Sequence, residues 1–383
     1  MVYVLLALAA VGHAVLWIGL VNRLHGLAMK RRLMDGLTGL CGLAVALLPL
    51  AVFAILGRDW SGSDELQVAT WGYVTMCAGI SIVAAVHKLW TFRHPERRGA
   101  MMANHTTRLP LRKSVAAPLA GRGIPAWLAR LPGNQAFDLH VHEKQLAIPR
   151  LASEHGGLRI AHLSDLHMSG RIAKAYFREA VDRVNECGAD LVAITGDLVE
   201  RDACIDWIPD TLGRLHAPGG VYYVLGNHDL RVDEHRLKAT LAEASLIHVG
   251  GRTLSVTVRN TPLLLAGNEL PWYGPAPDST SLSKESSSTT PLRILLSHSP
   301  DQFAWAQQHD FDLMLAGHNH GGQVQLPLFG PLLSPSRHGT RYASGTFCVG
   351  QTVLHVSRGT ASLTPLRYNC PPEIAILELR PVA

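Results

Sequence analysis

Leu313-Met314-Leu315-Ala316-Gly317-His318-Asn319-His320-Gly321-Gly322-Gln323 is an apolar run that breaks straight into two imidazoles spaced by one residue and flanked by glycines. Four apolar residues bounded by glycine suit a short buried strand. A strand that ends in His-x-His sets two metal-ligating side chains on the rim of a sheet. The same arrangement recurs upstream. Residues 158–163 lead to Asp165-Leu166-His167, and 191–194 lead to Gly196-Asp197. Residues 220–225 lead to Gly226-Asn227-His228-Asp229, and 292–296 lead to His298. Five such strands side by side would bring their tips to one place.

Between these runs lie helical patterns. Ile172, Tyr176, Ala180, Val184 and Cys187 fall on one helical face, and 207–215 and 234–244 also read as helices. Alternation of strand and helix predicts a layered α/β architecture, a two-sheet sandwich with helices outside. Further strands are expected at 254–258, 263–266, 346–349, 353–356 and 374–379, with the late strands pairing antiparallel. Residues 278–290, rich in Ser and Thr, read as an exposed loop.

The 383 residues are 47% hydrophobic, and the excess sits in the first 90. Three apolar runs, 2–21, 36–57 and 68–86, approach the ~20 residues needed to cross ~30 Å of hydrocarbon. The first has no basic residue before it, unlike a signal peptide. Arg23, Lys30, Arg31 and Arg32 follow the first run, and Lys88, Arg93, Arg97 and Arg98 follow the third. Basic loops stay in the cytoplasm, so the expected topology is multi-pass in the inner membrane, N-terminus outside and C-terminal part cytoplasmic. His13 lies inside the first run, where a neutral, hydrogen-bonded imidazole is expected rather than a relay. The expected domains are a transmembrane region (1–90), a basic linker (91–136) that lies on anionic lipid or simply enforces topology, and a catalytic domain (137–383). A net charge of +5 is too small to indicate a nucleic-acid partner. Six scattered cysteines with no Cys-x-x-Cys pair exclude a disulfide framework and a zinc-finger pattern.

Singly, each polar cluster has an ordinary structural explanation: Asp165 as a helix cap, Gly196-Asp197 and Asn227 as turn residues, His298 as a loop residue. Together they supply oxygen and nitrogen ligands for two divalent ions, without thiolate, a set that suits Mn, Fe, Co, Zn or Mg. Two ions about 3.5–4 Å apart can clamp the attacking and leaving oxygens of a phosphoryl transfer.

The ordered set resembles the calcineurin-like metallophosphoesterase family over residues 137–383, most closely its membrane-anchored bacterial branch. The motif Gly317-His318-Asn319-His320-Gly321-Gly322-Gln323 and the tail Arg367 with Pro371-Pro372-Glu373-Ile374 carry that likeness. Asn319 departs from the usual Thr or Ser but stands between ligands. The resemblance implies a dinuclear phosphoesterase, with Mn the expected metal, in which a metal-bound hydroxide attacks. It assigns Asp165, His167 and His320 to one ion, Asn227, His298 and His318 to the other, and Asp197 to both. It makes His228 the group acting on the leaving oxygen, with Asp229 orienting it. Its implied substrate is a lipid-linked or nucleotide-linked phosphoester, UDP-2,3-diacylglucosamine of lipid A synthesis being the first expectation. A broad phosphodiesterase, a lipid phosphatase and a non-catalytic metal-binding scaffold are the alternatives. A scaffold predicts a missing ligand or a missing His228; none is missing. Arg337, Arg341 and Arg358 are candidate phosphate contacts.

Overall fold

A computed structural model describes residues 1–27, 29, 31–56, 64–93, 99–278, 291–327 and 329–382. The Ser/Thr-rich stretch 279–290 and the charges at Lys30, Arg58, Asp59, Arg97 and Arg98 lie outside the described residues. The chain forms two compact units, Met1–Glu96 with Pro335–Gly339, and Arg97–Ser334 with Thr340–Ala383.

The first unit contains α1 (Val2–His25), α2 (Arg31–Leu56) and α3 (Asp64–Arg93), all long and apolar enough to cross a membrane. His13 is buried, with Nδ1 2.6 Å from the Tyr73 hydroxyl and Nε2 3.2 Å from the Val45 carbonyl oxygen. It ties the three helices to one another, as a satisfied imidazole does.

The second unit runs β1 (Met101–Pro110), α4 (Leu111–Ser114), α5 (Ile124–Ala129), β2 (Asp138–Ile148), β3 (Arg159–Leu163), α6 (Lys174–Glu186), β4 (Leu191–Thr195), β5 (Val221–Val224), α7 (Glu234–Glu243) and β6 (Leu246–His248). It continues through β7 (Thr253–Val258), β8 (Thr261–Asn268), β9 (Leu292–Ser297), α8 (Phe303–Gln308), β10 (Leu313–Ala316), β11 (Gln325–Leu326), β12 (Gly330–Pro331), β13 (Gly345–Val349), β14 (Thr352–Val356) and β15 (Glu373–Pro381). One sheet has the order β1-β2-β15-β3-β4-β5-β6 and the other β13-β14-β10-β9-β8-β7; β11 and β12 form a separate hairpin.

The inner faces of the sheets share one apolar core, with Ile160, Leu191 and Leu377 from the first and Leu265, Ile294 and Leu313 from the second. The outer face of the first sheet is covered by Tyr176, Phe177, Ala180, Val181 and Val184 of α6 and by Leu237 and Leu241 of α7. Phe303 and Ala306 cover the second sheet. This is the αββα sandwich expected from the alternating pattern.

Three expectations need correction. The late strands are not all antiparallel: in the second sheet β8–β9, β9–β10 and β10–β14 are parallel while β7–β8 and β13–β14 are antiparallel, and in the first sheet β15 runs parallel to β2 and antiparallel to β3. The short α8 between β9 and β10 supplies the crossover that parallel pairing needs. Residues 207–215 form no single helix but two 3₁₀ turns, Asp202–Trp207 and Leu212–Arg214. Part of the stretch expected as linker is folded, because β1 pairs antiparallel with β2 from Met101↔Leu146 to Pro110↔Asp138. This strand is at the sheet edge and exposed on both faces, so it has no alternation to betray it.

Candidate metal centre

Every candidate ligand follows the carboxyl end of a strand. β3 leads to Asp165 and His167, β4 to Asp197, β5 to Asn227 and His228, β9 to His298, and β10 to His318 and His320. β3, β4 and β5 are neighbours in one sheet, and β9 and β10 in the other, with parallel pairings throughout. Parallel strands put all five loops at the same rim.

The backbone at that rim is strained. Asp165 (φ 55°), His167 (49°), Asp197 (56°), His318 (71°) and His320 (50°) occupy the left-handed region, which costs a non-glycine residue about 1–2 kcal/mol each. Packing leaves no room beside them. A Cβ on Gly317 would overlap Ser164 Oγ and lie 2.5 Å from Asp165 Oδ2, and one on Gly196 would lie 2.6 Å from His298 Nδ1.

The side chains converge in two groups joined by one carboxylate. Asp165, His167 and His320 form the first: His320 Nε2 lies 3.4 Å from Asp165 Oδ1 and 2.9 Å from His167 Nε2. His298, His318 and Asn227 form the second: His298 Nε2 lies 3.2 Å from His318 Nδ1 and 3.1 Å from Asn227 Oδ1. Asp197 Oδ2 stands between them, 3.5 Å from His167 Nε2 and 3.3 Å from His298 Nε2. Ligand atoms about 2.0–2.2 Å from a common ion are separated by roughly these distances.

The chemistry of the donor set fits cations. His167 Nδ1 donates to Glu200 (2.5 Å) and His298 Nδ1 donates to the Thr195 carbonyl (2.7 Å). A neutral imidazole that donates through Nδ1 has a bare lone pair on Nε2. In the neutral tautomer both Nε2 lone pairs face Asp197 Oδ2, so either a proton or a cation must lie between them. The titration of the cluster points the same way. Burial would lower His298, but the Asp197 and Asp165 carboxylates draw it up to about 9. Burial would raise Asp197, yet the imidazoles of His298 and His228 hold it well below the carboxylate range. The cluster demands positive charge at its centre.

His228 is the site imidazole most open to solvent, its side chain 17% exposed. Its expected partner is wrong. Both oxygens of Asp229 are taken by the backbone N–H groups of Asp197, Leu198, Val199 and Gly226, at 2.8–3.0 Å, so this carboxylate fixes the β4 and β5 loops. Burial and the Asp197 charge push Asp229 up to about 7. His228 Nδ1 instead meets Glu200 Oε1, the oxygen that also binds His167, while Glu200 Oε2 accepts from Arg231 Nη1 at 2.6 Å. Burial opposes ionisation of Glu200, but its bonds from His167 and His228 prevail and hold it at about 2.

The sequence reading gave no site role to two further residues. The Trp272 ring centre lies 4.9 Å from that of His318 and 5.5 Å from that of His298, forming an aromatic wall beside the second group. Arg367, fully buried, donates to the Arg358 and Cys370 carbonyls and reaches His320 Nδ1 at 3.3 Å, bracing the loop behind that ligand. Among the arginines expected to contact phosphate, Arg358 is engaged by Glu373 (Nε to Oε2 3.1 Å) and His142. Arg341 is exposed, its guanidinium 5.1 Å from the Tyr342 ring centre.

The calcineurin-like phosphoesterase family model matches residues 158–322. The uncharacterized metallophosphoesterase YkuE of Bacillus subtilis is 31% identical over 243 residues, 58% of this chain and 79% of its own length. The phosphodiesterase YaeI of Escherichia coli is 31% identical over 229 residues, 58% of this chain and 82% of its own. The UDP-2,3-diacylglucosamine pyrophosphatase LpxG of Chlamydia trachomatis is 25% identical over 283 residues, 60% of this chain and 86% of its own.

Proposed function

This chain belongs to the calcineurin-like metallophosphoesterase family, a family of metal-dependent hydrolases, and on that premise we propose that it is a membrane-anchored, two-metal phosphoesterase whose catalytic domain faces the cytoplasm. In this reading residues 1–90 are the anchor and the domain following it carries the chemistry. The observation that carries the assignment is the pair of imidazoles, His167 and His298, each held through Nδ1 by an acceptor and each turning Nε2 to Asp197 Oδ2.

Asp165, His167 and His320 would hold one divalent ion, Asn227, His298 and His318 the other, with Asp197 shared. Two such ions supply Lewis acidity towards phosphoryl oxygens and lower the pKa of water. The rest is the work of this chain's own groups. Trp272 walls one side of the centre. His228, partly exposed and held through Nδ1 by Glu200, gives a proton to the departing oxygen. Glu200 keeps that imidazole in the tautomer with its proton available at the free nitrogen once charged, and the same carboxylate fixes His167.

We propose UDP-2,3-diacylglucosamine as the substrate, supported by the likeness to LpxG and by three helices that suit a membrane. The test is full-length protein in detergent, assayed with Mn, Fe, Co, Zn and Mg against phosphomonoesters, a simple diester and UDP-2,3-diacylglucosamine. Asp197→Ala should lose both bound metal and turnover. His228→Ala should keep metal and lose turnover by about 10²–10⁴-fold, the usual worth of general acid catalysis. Full activity in either variant refutes the roles. An intact UDP-lipid beside a cleaved simple diester refutes the lipid A role and leaves a phosphodiesterase of the kind the E. coli relative is named for.

A further inference from the structure

Two short elements at the rim of the metal site expose large apolar side chains. In α5, Ile124 is 74% and Trp127 62% exposed. In and after the β11–β12 hairpin, Leu326 is 42%, Phe329 63% and Leu333 56% exposed. Such a display next to a polar active centre is costly in water and marks an interaction surface.

Neither element is loose. Tyr368 joins them: its hydroxyl donates to the Pro132 carbonyl just past α5 (3.0 Å), and its backbone pairs with Gln323 and Gln325 at the base of the hairpin (3.0 and 2.9 Å). Asn369 Nδ2 adds a bond to the Gln325 carbonyl at 2.9 Å. The hairpin also seats on the ligand loop. A Cβ on Gly322, two residues from His320, would lie 2.6 Å from Pro331 Cβ and 2.8 Å from the Leu333 carbonyl oxygen. The exposed apolar groups thus belong to a rigid rim whose position is fixed relative to His320.

Charge selects the occupant. No Asp or Glu occurs from residue 97 to 137, nor from 313 to 372. Arg122 and Arg130 bracket α5 and are exposed, and Arg341 lies beyond the hairpin. An apolar surface with Trp among its side chains, in stretches of sequence whose charged residues are all cationic, matches the boundary between headgroups and acyl chains of an anionic bilayer. Chain length permits it. α3 ends at Arg93 and β1 begins at Met101, a connection that spans at most roughly 28 Å when extended.

We propose that α5 and the β11–β12 hairpin form one lipid-docking platform, inserted shallowly into an anionic bilayer so that the metal centre opens at the membrane surface. The platform rests on the membrane-anchored reading above, and it is a second attachment beyond the three helices. Its consequence is that a phosphoester linked to a lipid reaches the site without leaving the bilayer.

The test uses the full chain in nanodiscs of phosphatidylglycerol and phosphatidylcholine containing a phospholipid with a diazirine in its acyl chain. After irradiation, lipid adducts are mapped by peptide mass spectrometry. Peptides with residues 124–129 and 325–333 should carry adducts at about tenfold the yield of the water-facing side of α7, as expected for side chains buried a few ångströms into the interface. Adducts on α1–α3 without any on these two peptides overturn the platform and leave the anchor standing. Adducts on the platform with none on α1–α3 support it and overturn the anchor. A benzophenone amino acid placed at Leu326 gives the second measurement: capture of lipid supports the platform, and capture of a second copy of the chain overturns it in favour of self-association.

Discussion

Glu200 Oε1 meets two imidazoles whose proposed tasks differ, His167 as metal ligand and His228 as proton donor. With those roles, a single carboxylate oxygen would couple metal binding to leaving-group chemistry. Glu200→Gln keeps the size but puts a neutral amide where both imidazoles need a charged acceptor. Removing such an outer partner commonly costs 10–100-fold, so kcat should fall about 10- to 100-fold while metal content falls less than in Asp197→Ala. Turnover equal to the parent protein would show that Glu200 is only packing. The sequence could not single this residue out. The ligands were legible because each follows an apolar run and each is a type that binds ions. Glu200 lies three residues past Asp197, where a glutamate reads as an ordinary loop residue. Asp229 was misjudged because it adjoins His228 in sequence, whereas its carboxylate points back to four backbone N–H groups.

At the scale of elements, strands β2, β3 and β14 are linked by a buried polar chain that crosses from one sheet to the other. The Lys144 ammonium can only donate, so His355 Nε2 accepts from it at 2.9 Å. His355 Nδ1 then carries the proton and donates to His162 Nδ1 (2.9 Å), and His162 Nε2 donates to Thr195 Oγ1 (2.8 Å). Every member is satisfied only while both imidazoles are neutral. Burial does enforce neutrality, pushing His162 down to about 3. The sign follows directly. The unfolded chain binds a proton at this residue below about 6.5, and the folded chain refuses it until about 3, so folding stability falls as pH drops through that interval. One such group contributes about 1.4 kcal/mol per pH unit in that range. His162→Gln should therefore lose less melting temperature than the parent between pH 7 and pH 5, followed by intrinsic fluorescence. Equal losses would place the proton uptake elsewhere. The strands themselves were readable from apolar runs, but their partners were not. Parallel pairing of β8, β9, β10 and β14 depends on crossovers that leave no periodic trace, and β1, exposed on both faces, has no apolar stripe at all.

Across the whole molecule, the candidate ligands come from both sheets: β3, β4 and β5 supply one side and β9 and β10 the other. Ions held between them would cross-link the sandwich at its rim, where Asp165 and Asp197 otherwise face each other's charge and five ligand residues hold left-handed backbone. The unfolded chain cannot assemble that set, since its members are spread from residue 165 to residue 320. Metal that binds only the folded form stabilises it by mass action, about 2.7 kcal/mol per site when the free ion is at 100 times its Kd. Chelation of the full-length protein in detergent should thus lower the melting temperature of the catalytic domain, and returning Mn should restore it. Trp272, beside His318 and His298, gives a fluorescence signal local to the centre. Asp197→Ala supplies the control: without the shared carboxylate, its melting temperature should be the same with and without Mn. A parent protein whose melting does not respond to chelation, while the same sample is shown to lose metal, would mean that the sheets hold their rim without help and that the strained ligand loops are stabilised by packing around Gly317 and Gly196 alone.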